Sequence, residues 1–173
     1  MKKGLLTIGL MSCIALTACG VPLSKEDFIE SINNKINASA NSGYTTVHLT
    51  GESINSETGE KKTFGYTNYL NLVNGSLTIG GIKEYDEGCD FTAALGAAIV
   101  YAHAWQLDES LVNLLTNEEA TCTYELGLTY GMTVKKTTSS GATQKASYSW
   151  ELDTLLLTSL STGTYNITAK YSK

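Results

Sequence analysis

The chain has 173 residues, with 17 acidic side chains against 12 basic ones and a formal net charge of −5 at pH 7. All 12 of its Lys and Arg positions are lysine, so the chain lacks the guanidinium groups that bind phosphates in bidentate fashion. Together with the net negative charge, this argues against a nucleic acid or a nucleotide as partner. The length fits one domain with a buried core.

The first 18 residues have the sequence features of an export signal. Lys2 and Lys3 supply positive charge, and an uncharged apolar run over residues 4–15 follows them. This run is shorter than the roughly 20 apolar residues that span a membrane. It leads into Leu16-Thr17-Ala18-Cys19, which places a branched residue and two small residues before a cysteine.

The segment Leu16-Thr17-Ala18-Cys19 resembles the lipobox of bacterial lipoproteins. The resemblance implies transfer of a diacylglycerol to the thiol of Cys19, cleavage after Ala18 and, in some cases, a further acyl chain such as palmitate on the new amino group. Residues 1–18 are then a signal peptide, residues 19–23 a lipidated tether and residues 24–173 a single domain. Because two or three acyl chains anchor a protein durably, we expect this domain on the extracytoplasmic face of the cell membrane or of an outer membrane.

An amphipathic helix is predicted directly after the tether. Ser24 and Asp27 have the spacing of a capping box with a shorter acid. Large apolar residues then recur at helical spacing: Phe28, Ile29, Ile32 and Ile36. We expect the helix to end near Asn41-Ser42-Gly43. Its polar side is acidic, whereas a helix that lies on a membrane is usually basic, so its apolar side is assigned to the core.

Strands are predicted from Tyr44 onward, where the apolar period changes to two. The first strand places Thr45, Val47 and Leu49 on one face. The second runs from Phe64 to Leu72, with a possible irregularity at Thr67-Asn68. Asn74-Gly75 predicts a hairpin into a third strand that contains Leu77 and Ile79.

Residues 80–90 are predicted to form an acidic loop. Its carboxylates are Glu84, Asp86, Glu87 and Asp90. They could supply oxygen ligands to calcium, but they lack the spaced ligands and central glycine of an EF-hand. A solvated loop is therefore the favoured interpretation.

The remaining elements complete an α+β pattern. The stretch from Phe91 to Trp105 has no charged residue and is predicted to be a buried helix, and a short helix begins near Asp108. Strands return over residues 121–126, 129–134, 146–152 and 165–171. Six or seven strands joined by short turns, with two or three helices, predict a curved, half-barrel-like antiparallel sheet packed on helices.

This order of elements resembles the LolA-like lipoprotein-carrier fold. The resemblance is carried by the N-terminal helix, by the strand that begins Tyr44-Thr45-Thr46-Val47, and by a closing hairpin from Trp150 to Tyr171. It implies an open half-barrel that wraps helices and can shelter acyl chains. It implies no particular binding residue.

Two cysteines remain in the mature domain, because Cys13 leaves with the signal and Cys19 takes the lipid. An exported pair such as Cys89 and Cys122 often forms a disulfide. Such a bond would contribute about 3–4 kcal/mol on the loop-entropy model. Two separate buried thiols are the alternative.

The sequence offers little catalytic or metal-binding chemistry. The nucleophile elbow Gly-x-Ser-x-Gly does not occur. His48 falls in a strand and His103 in the apolar helix, where a satisfied interior or edge histidine is the favoured interpretation. Cys89, His103 and Cys122 are too scattered for a zinc motif. We therefore predict no catalytic residue, no metal and no cofactor.

Three functions follow from these patterns. The first is a non-enzymatic, membrane-anchored module that binds an apolar ligand or a partner protein of the envelope. The second is a structural or envelope-assembly lipoprotein, and the third is an enzyme whose site forms only in three dimensions. An apolar cavity between the sheet and residues 91–105 favours the first, a filled core the second, and a cleft joining His48 or His103 to carboxylates the third.

Overall fold

The computed structural model describes residues 20–36, 38–117 and 120–173, so the predicted signal peptide and Cys19 lie outside the described residues. Within these ranges the chain forms nine strands and three α-helices. The strands are β1 Val21–Leu23, β2 Thr46–Ile54, β3 Lys61–Val73, β4 Ser76–Tyr85, β5 Ala120–Leu126, β6 Thr129–Thr137, β7 Thr143–Glu151, β8 Leu157–Ser161 and β9 Tyr165–Ser172. The helices are α1 Lys25–Asn33, α2 Phe91–His103 and α3 Glu109–Leu115.

All the strands join one antiparallel sheet in the order β1-β5-β6-β7-β8-β9-β2-β3-β4. The sheet is open, because its outer strands β1 and β4 each pair with a single neighbour. This confirms the predicted antiparallel sheet with helices. No helix in the described part of the chain is long and apolar enough to cross a bilayer.

The helices pack on one face of the sheet. Phe28 of α1 contacts the ring of Tyr130 on β6, with ring centroids 5.8 Å apart. Tyr130 is the register partner of Trp150 on β7, so both side chains lie on the same face. The Trp150 indole donates a 3.1 Å hydrogen bond to the carbonyl of Ala104, directly after α2. Both helices therefore cover the same side.

Two strands were missing from the sequence prediction. β1 lies within residues 19–23, which were predicted to be a tether, and pairs Val21 with Leu126 and Leu23 with Tyr124. Its proline cannot donate to a ladder but is tolerated on an edge strand. β8 has two buried leucines, Leu157 and Leu160, which lie three residues apart with Thr158 and Ser159 between them, so no alternation marked it.

The first helix is shorter than predicted. Ser24 caps it as expected, since its hydroxyl oxygen accepts from the Asp27 backbone N–H at 3.0 Å. α1 nevertheless ends at Asn33, where consecutive asparagines favour turns over helix. A separate 3-10 helix covers Ala38–Asn41. As a result Ile36, predicted on the apolar face, is exposed.

The β3–β4 hairpin confirms two predictions and overturns one. The register shifts at Thr67 and Asn68, where the irregularity was expected. Asn74 and Gly75 both have positive φ, 51° and 78°, as a two-residue type I′ turn requires. The predicted loop over residues 80–90 is wrong for residues 80–85, because β4 continues to Tyr85, whereas residues 86–90 do form the connection to α2. The Asn68 amide donates to the Gly80 carbonyl at 3.1 Å within the irregular region.

A substitution at Gly51 tests the pairing of β2 with β9. An added Cβ at Gly51 would overlap the backbone oxygen of Asn166 on β9, which a fixed ladder cannot move aside. We expect Gly51→Ala to lower the free energy of unfolding by at least about 2 kcal/mol in urea denaturation. Gly81→Ala is the control, since an added Cβ there meets nothing within 4 Å. Equal stability of the two variants would contradict the β2–β9 pairing.

Candidate binding surface

The side of α2 that faces the sheet is built from small residues. Ala93, Ala94 and Ala97 are buried there, and an added Cβ at Gly96 would overlap the hydroxyl of Tyr165 on β9. Tyr101 ends this side, and its hydroxyl donates to the Leu157 carbonyl at 2.9 Å. Small side chains allow the helix backbone to approach the sheet closely, so this interface is filled.

The start of α2 is fixed by Asp90. Its carboxylate accepts from the Ala93 backbone N–H at 2.8 Å and lies 3.5 Å from the Lys62 amine. The hydrogen bond from Ala93 is the main cause that lowers the pKa of Asp90 below its ordinary value. The cap therefore contributes stability above the unfolded-state pKa and loses it as the pH falls through the lowered folded-state pKa.

The opposite side of α2 carries large apolar side chains in solvent. Phe91, Leu95 and Ile99 are 60%, 56% and 62% exposed. Their spacing of four residues places them in one row along the helix. We call these three residues the α2 stripe. The prediction of a wholly buried helix is therefore wrong for this side.

The α2 stripe begins beside β4, the outer strand of the sheet. At one end, the ring of Phe91 meets the ring of Tyr85 on β4 edge to face, with centroids 4.8 Å apart. At the other end, Ala102 lies one turn beyond Ile99 and lines a groove of about 420 Å³ with Leu77, Ile79 and Trp105. We call the α2 stripe together with the outer edge of β4 the α2–β4 face.

Other cavities lie away from α2. One of about 690 Å³ is lined by Val134, Ala146 and polar residues of β6, β7 and the β8–β9 turn. Another, of about 620 Å³, is lined mainly by polar residues of the turn between β2 and β3, such as Asn55 and Glu57. Neither lies between the sheet and residues 91–105, where the carrier hypothesis expected an apolar space.

One histidine does meet a carboxylate. The Nδ1 of His48 lies 3.0 Å from the hydroxyl oxygen of Thr67, and its Nε2 lies 3.3 Å from a carboxylate oxygen of Asp86. Gly65 leaves room for this carboxylate, because an added Cβ would overlap it. A hydroxyl, an imidazole and a carboxylate in this order can form a nucleophilic site.

The hydroxyl of this group is poorly exposed. Thr67 is only 8% exposed, and His48 alternates with the buried Val47 and Leu49, so it faces away from the helices. Substrate would have to reach a hydroxyl covered by its own strand pair. We interpret the contacts as a link between the turn after β4 and the strands β2 and β3.

The other residues singled out from the sequence stay apart. His103 is exposed in the last turn of α2. Glu84 lies on β4, whereas Asp86 and Glu87 lie in the turn that follows it. In the parts of the chain that the structure describes, no three His, Cys, Asp or Glu side chains are grouped so that they could hold a metal ion.

Cys89 and Cys122 are free thiols in the structure. Cys89 follows β4 at one end of the strand order, whereas Cys122 lies on β5, next to the strand at the other end. Burial is the main cause that raises the pKa of the Cys122 thiol. Of the two alternatives that the sequence left open, a disulfide and two separate thiols, this arrangement favours the two thiols.

We expect both thiols to be reduced in the exported protein, because Cys122 lies on β5 and Cys89 lies after β4, near opposite ends of the strand order. Maleimide labelling of the denatured protein, without a reductant, should add two labels to a chain whose Cys19 is lipidated. The Cys122→Ser variant should take one label. A second label that appears only after reduction would contradict this expectation and support the disulfide.

No protein-family model and no curated protein matches the chain. Among solved structures, the chain is similar to the crystal structure of the Mycobacterium tuberculosis lipoprotein LppX, with 12% identity and a TM-score of 0.33. The match covers 87% of this chain and 96% of that one. A likeness this low assigns no function to the chain.

Proposed function

We propose that this protein is a lipid-anchored lipoprotein of the bacterial envelope whose domain binds a partner protein through the α2–β4 face. The observation that supports the proposal is the exposed α2 stripe beside an unpaired sheet edge. Apolar side chains in one row, next to free backbone hydrogen-bonding groups, are features of a binding surface.

The energies agree with binding. Burying one exposed Leu, Ile or Phe side chain contributes about 1.5–3 kcal/mol, so the three residues of the α2 stripe can offset part of the cost of association. β4 adds backbone groups on its outer side, where no strand among residues 20–36, 38–117 and 120–173 pairs with it. A segment lying along β4 would therefore gain hydrogen bonds and meet the stripe at the same time.

The alternatives use other features. An internally carried lipid requires space beneath α2, where alanines are buried instead. A structural or assembly role would use the same α2–β4 face with a permanent partner. An enzyme would use His48, Thr67 and Asp86, but the hydroxyl of Thr67 is covered. The absence of catalysis is part of the proposal.

Photo-cross-linking in the native membrane tests the partner. Photoreactive benzoylphenylalanine is placed at position 95 or 99 of the full-length chain, and at position 114 as the control. Leu114 is 67% exposed on α3, so it matches the stripe in size and exposure but not in position. We expect a discrete protein adduct from positions 95 and 99 and none from position 114.

A second variant shows whether the apolar row itself is required. Leu95→Lys should lower the adduct yield from position 99 at least about tenfold, a loss of about 1.4 kcal/mol. Leu114→Lys should leave that yield unchanged, and both variants should keep the melting temperature because the side chains are exposed. Adducts with lipid alone would indicate an apolar ligand, and yields equal at all positions would contradict the proposal.

The anchor has its own test. Cys19→Ser removes the thiol that takes the lipid, so we expect the variant to appear in the soluble fraction of lysed cells. Metabolic labelling with radioactive palmitate should mark the parent chain and not the variant. A variant that stays in the membrane pellet after a carbonate wash would contradict the lipid anchor.

A further inference from the structure

The chain enters the sheet immediately after the predicted lipidation site. Val21 pairs with Leu126, so β1 begins two residues after Cys19. Gly20 packs against β5, where an added Cβ would lie 2.9 Å from the Cβ of Glu125. It also lies beside Gly127, whose own added Cβ would be 3.3 Å from the Gly20 Cα. A flexible tether is therefore absent between Gly20 and the sheet.

Two apolar side chains stand in solvent at this point. Leu128 lies in the short turn between β5 and β6 and is 82% exposed. Val21, at the start of β1, is 61% exposed. Turn positions of this kind are normally polar, and neither side chain belongs to the buried core. Both lie next to the residue that follows the anchor.

Gly20 and its neighbours lie close to the bilayer, because Gly20 directly follows the predicted anchor residue, Cys19. One residue spans at most about 3.6 Å, so Gly20 cannot lie far from a Cys19 whose acyl chains are in the membrane. Gly127 is in contact with Gly20, and Leu128 is the next residue along the chain. An apolar side chain held at the headgroup boundary gains free energy by entering it.

We propose that Val21 and Leu128 insert into the leaflet that holds the acyl chains of Cys19. This inference rests on the lipid anchor of the proposed function and adds an orientation to it. The acyl chains and the two side chains give separate points of attachment, so the domain is held in a fixed pose. The β6–β7 turn, at the opposite ends of the strands, then points away from the membrane.

The burial of apolar side chains, and not attraction between charges, drives the proposed insertion. Two acidic side chains lie near this corner, Glu125 beside Gly20 and Glu151 as the register partner of Thr129. The nearby amine of Lys35 lies 4.0 Å from a carboxylate oxygen of Asp153, so it adds no unpaired positive charge. Acidic groups are not attracted to anionic lipids. We therefore expect insertion into phosphatidylcholine vesicles without any anionic lipid.

The experiment uses the lipidated full-length protein in phosphatidylcholine vesicles. Cys89→Ser and Cys122→Ser remove the free thiols, and Leu128→Cys introduces one for an environment-sensitive NBD dye. Ser140→Cys, exposed in the β6–β7 turn, is the matched control. With a nitroxide near the headgroup of the lipid, we expect the dye at position 128 to lose roughly half of its emission, and the dye at position 140 almost none.

The outcomes separate the two proposals. If the protein floats with the vesicles but the dyes at positions 128 and 140 are quenched equally, the insertion is wrong and the anchor stands. If the protein does not float, the anchor itself fails. Leu128→Glu, tested with the dye at a Val21→Cys position, should reduce the quenching there at least twofold if the two side chains insert together.

Discussion

The close approach of α2 to the inner face of the sheet determines much of the molecule. Alanines at positions 93, 94 and 97 allow it, and the Tyr101 hydroxyl fixes it through the carbonyl of Leu157. A helix that packs on its small residues turns its large ones to the other side. The α2 stripe is therefore exposed because of how the core is filled. The same packing places buried alanines where an internal ligand would lie beneath α2.

Local signals predicted those parts of the fold that depend on local chemistry. Asn74-Gly75 can adopt two successive positive φ values, so it marked its hairpin, and Ser24 marked the start of α1. β8 was missed because its buried leucines, Leu157 and Leu160, are three residues apart and do not alternate with polar residues. β1 and the end of β4 were missed because their pairing is set by distant partners, which no short window of sequence contains.

The sequence predicted the apolar helix of the candidate surface but not the exposure of one side of that helix. The stretch after Asp90 is apolar on all sides, and an apolar helix without a polar face predicts burial. The size of the apolar residues could have revealed the α2 stripe. The large residues Phe91, Leu95 and Ile99 recur every four positions, and the positions between them hold many alanines. The contact of His48 with Asp86 had no local signal, because it joins β2 to the turn after β4 across β3.

The two edge strands of the sheet, β1 and β4, differ in length and in their distance from the anchor site. An open sheet exposes backbone groups at both edges, and proteins usually protect them. β1 ends one edge with three residues and a proline, directly beside the anchor site, so few backbone groups are left there. β4 ends the other edge with ten residues, and its bulge disturbs only the middle. If β1 is held at the bilayer, the edge that remains open to a partner is the one next to the α2 stripe, at the far end of the strand order from the membrane attachment.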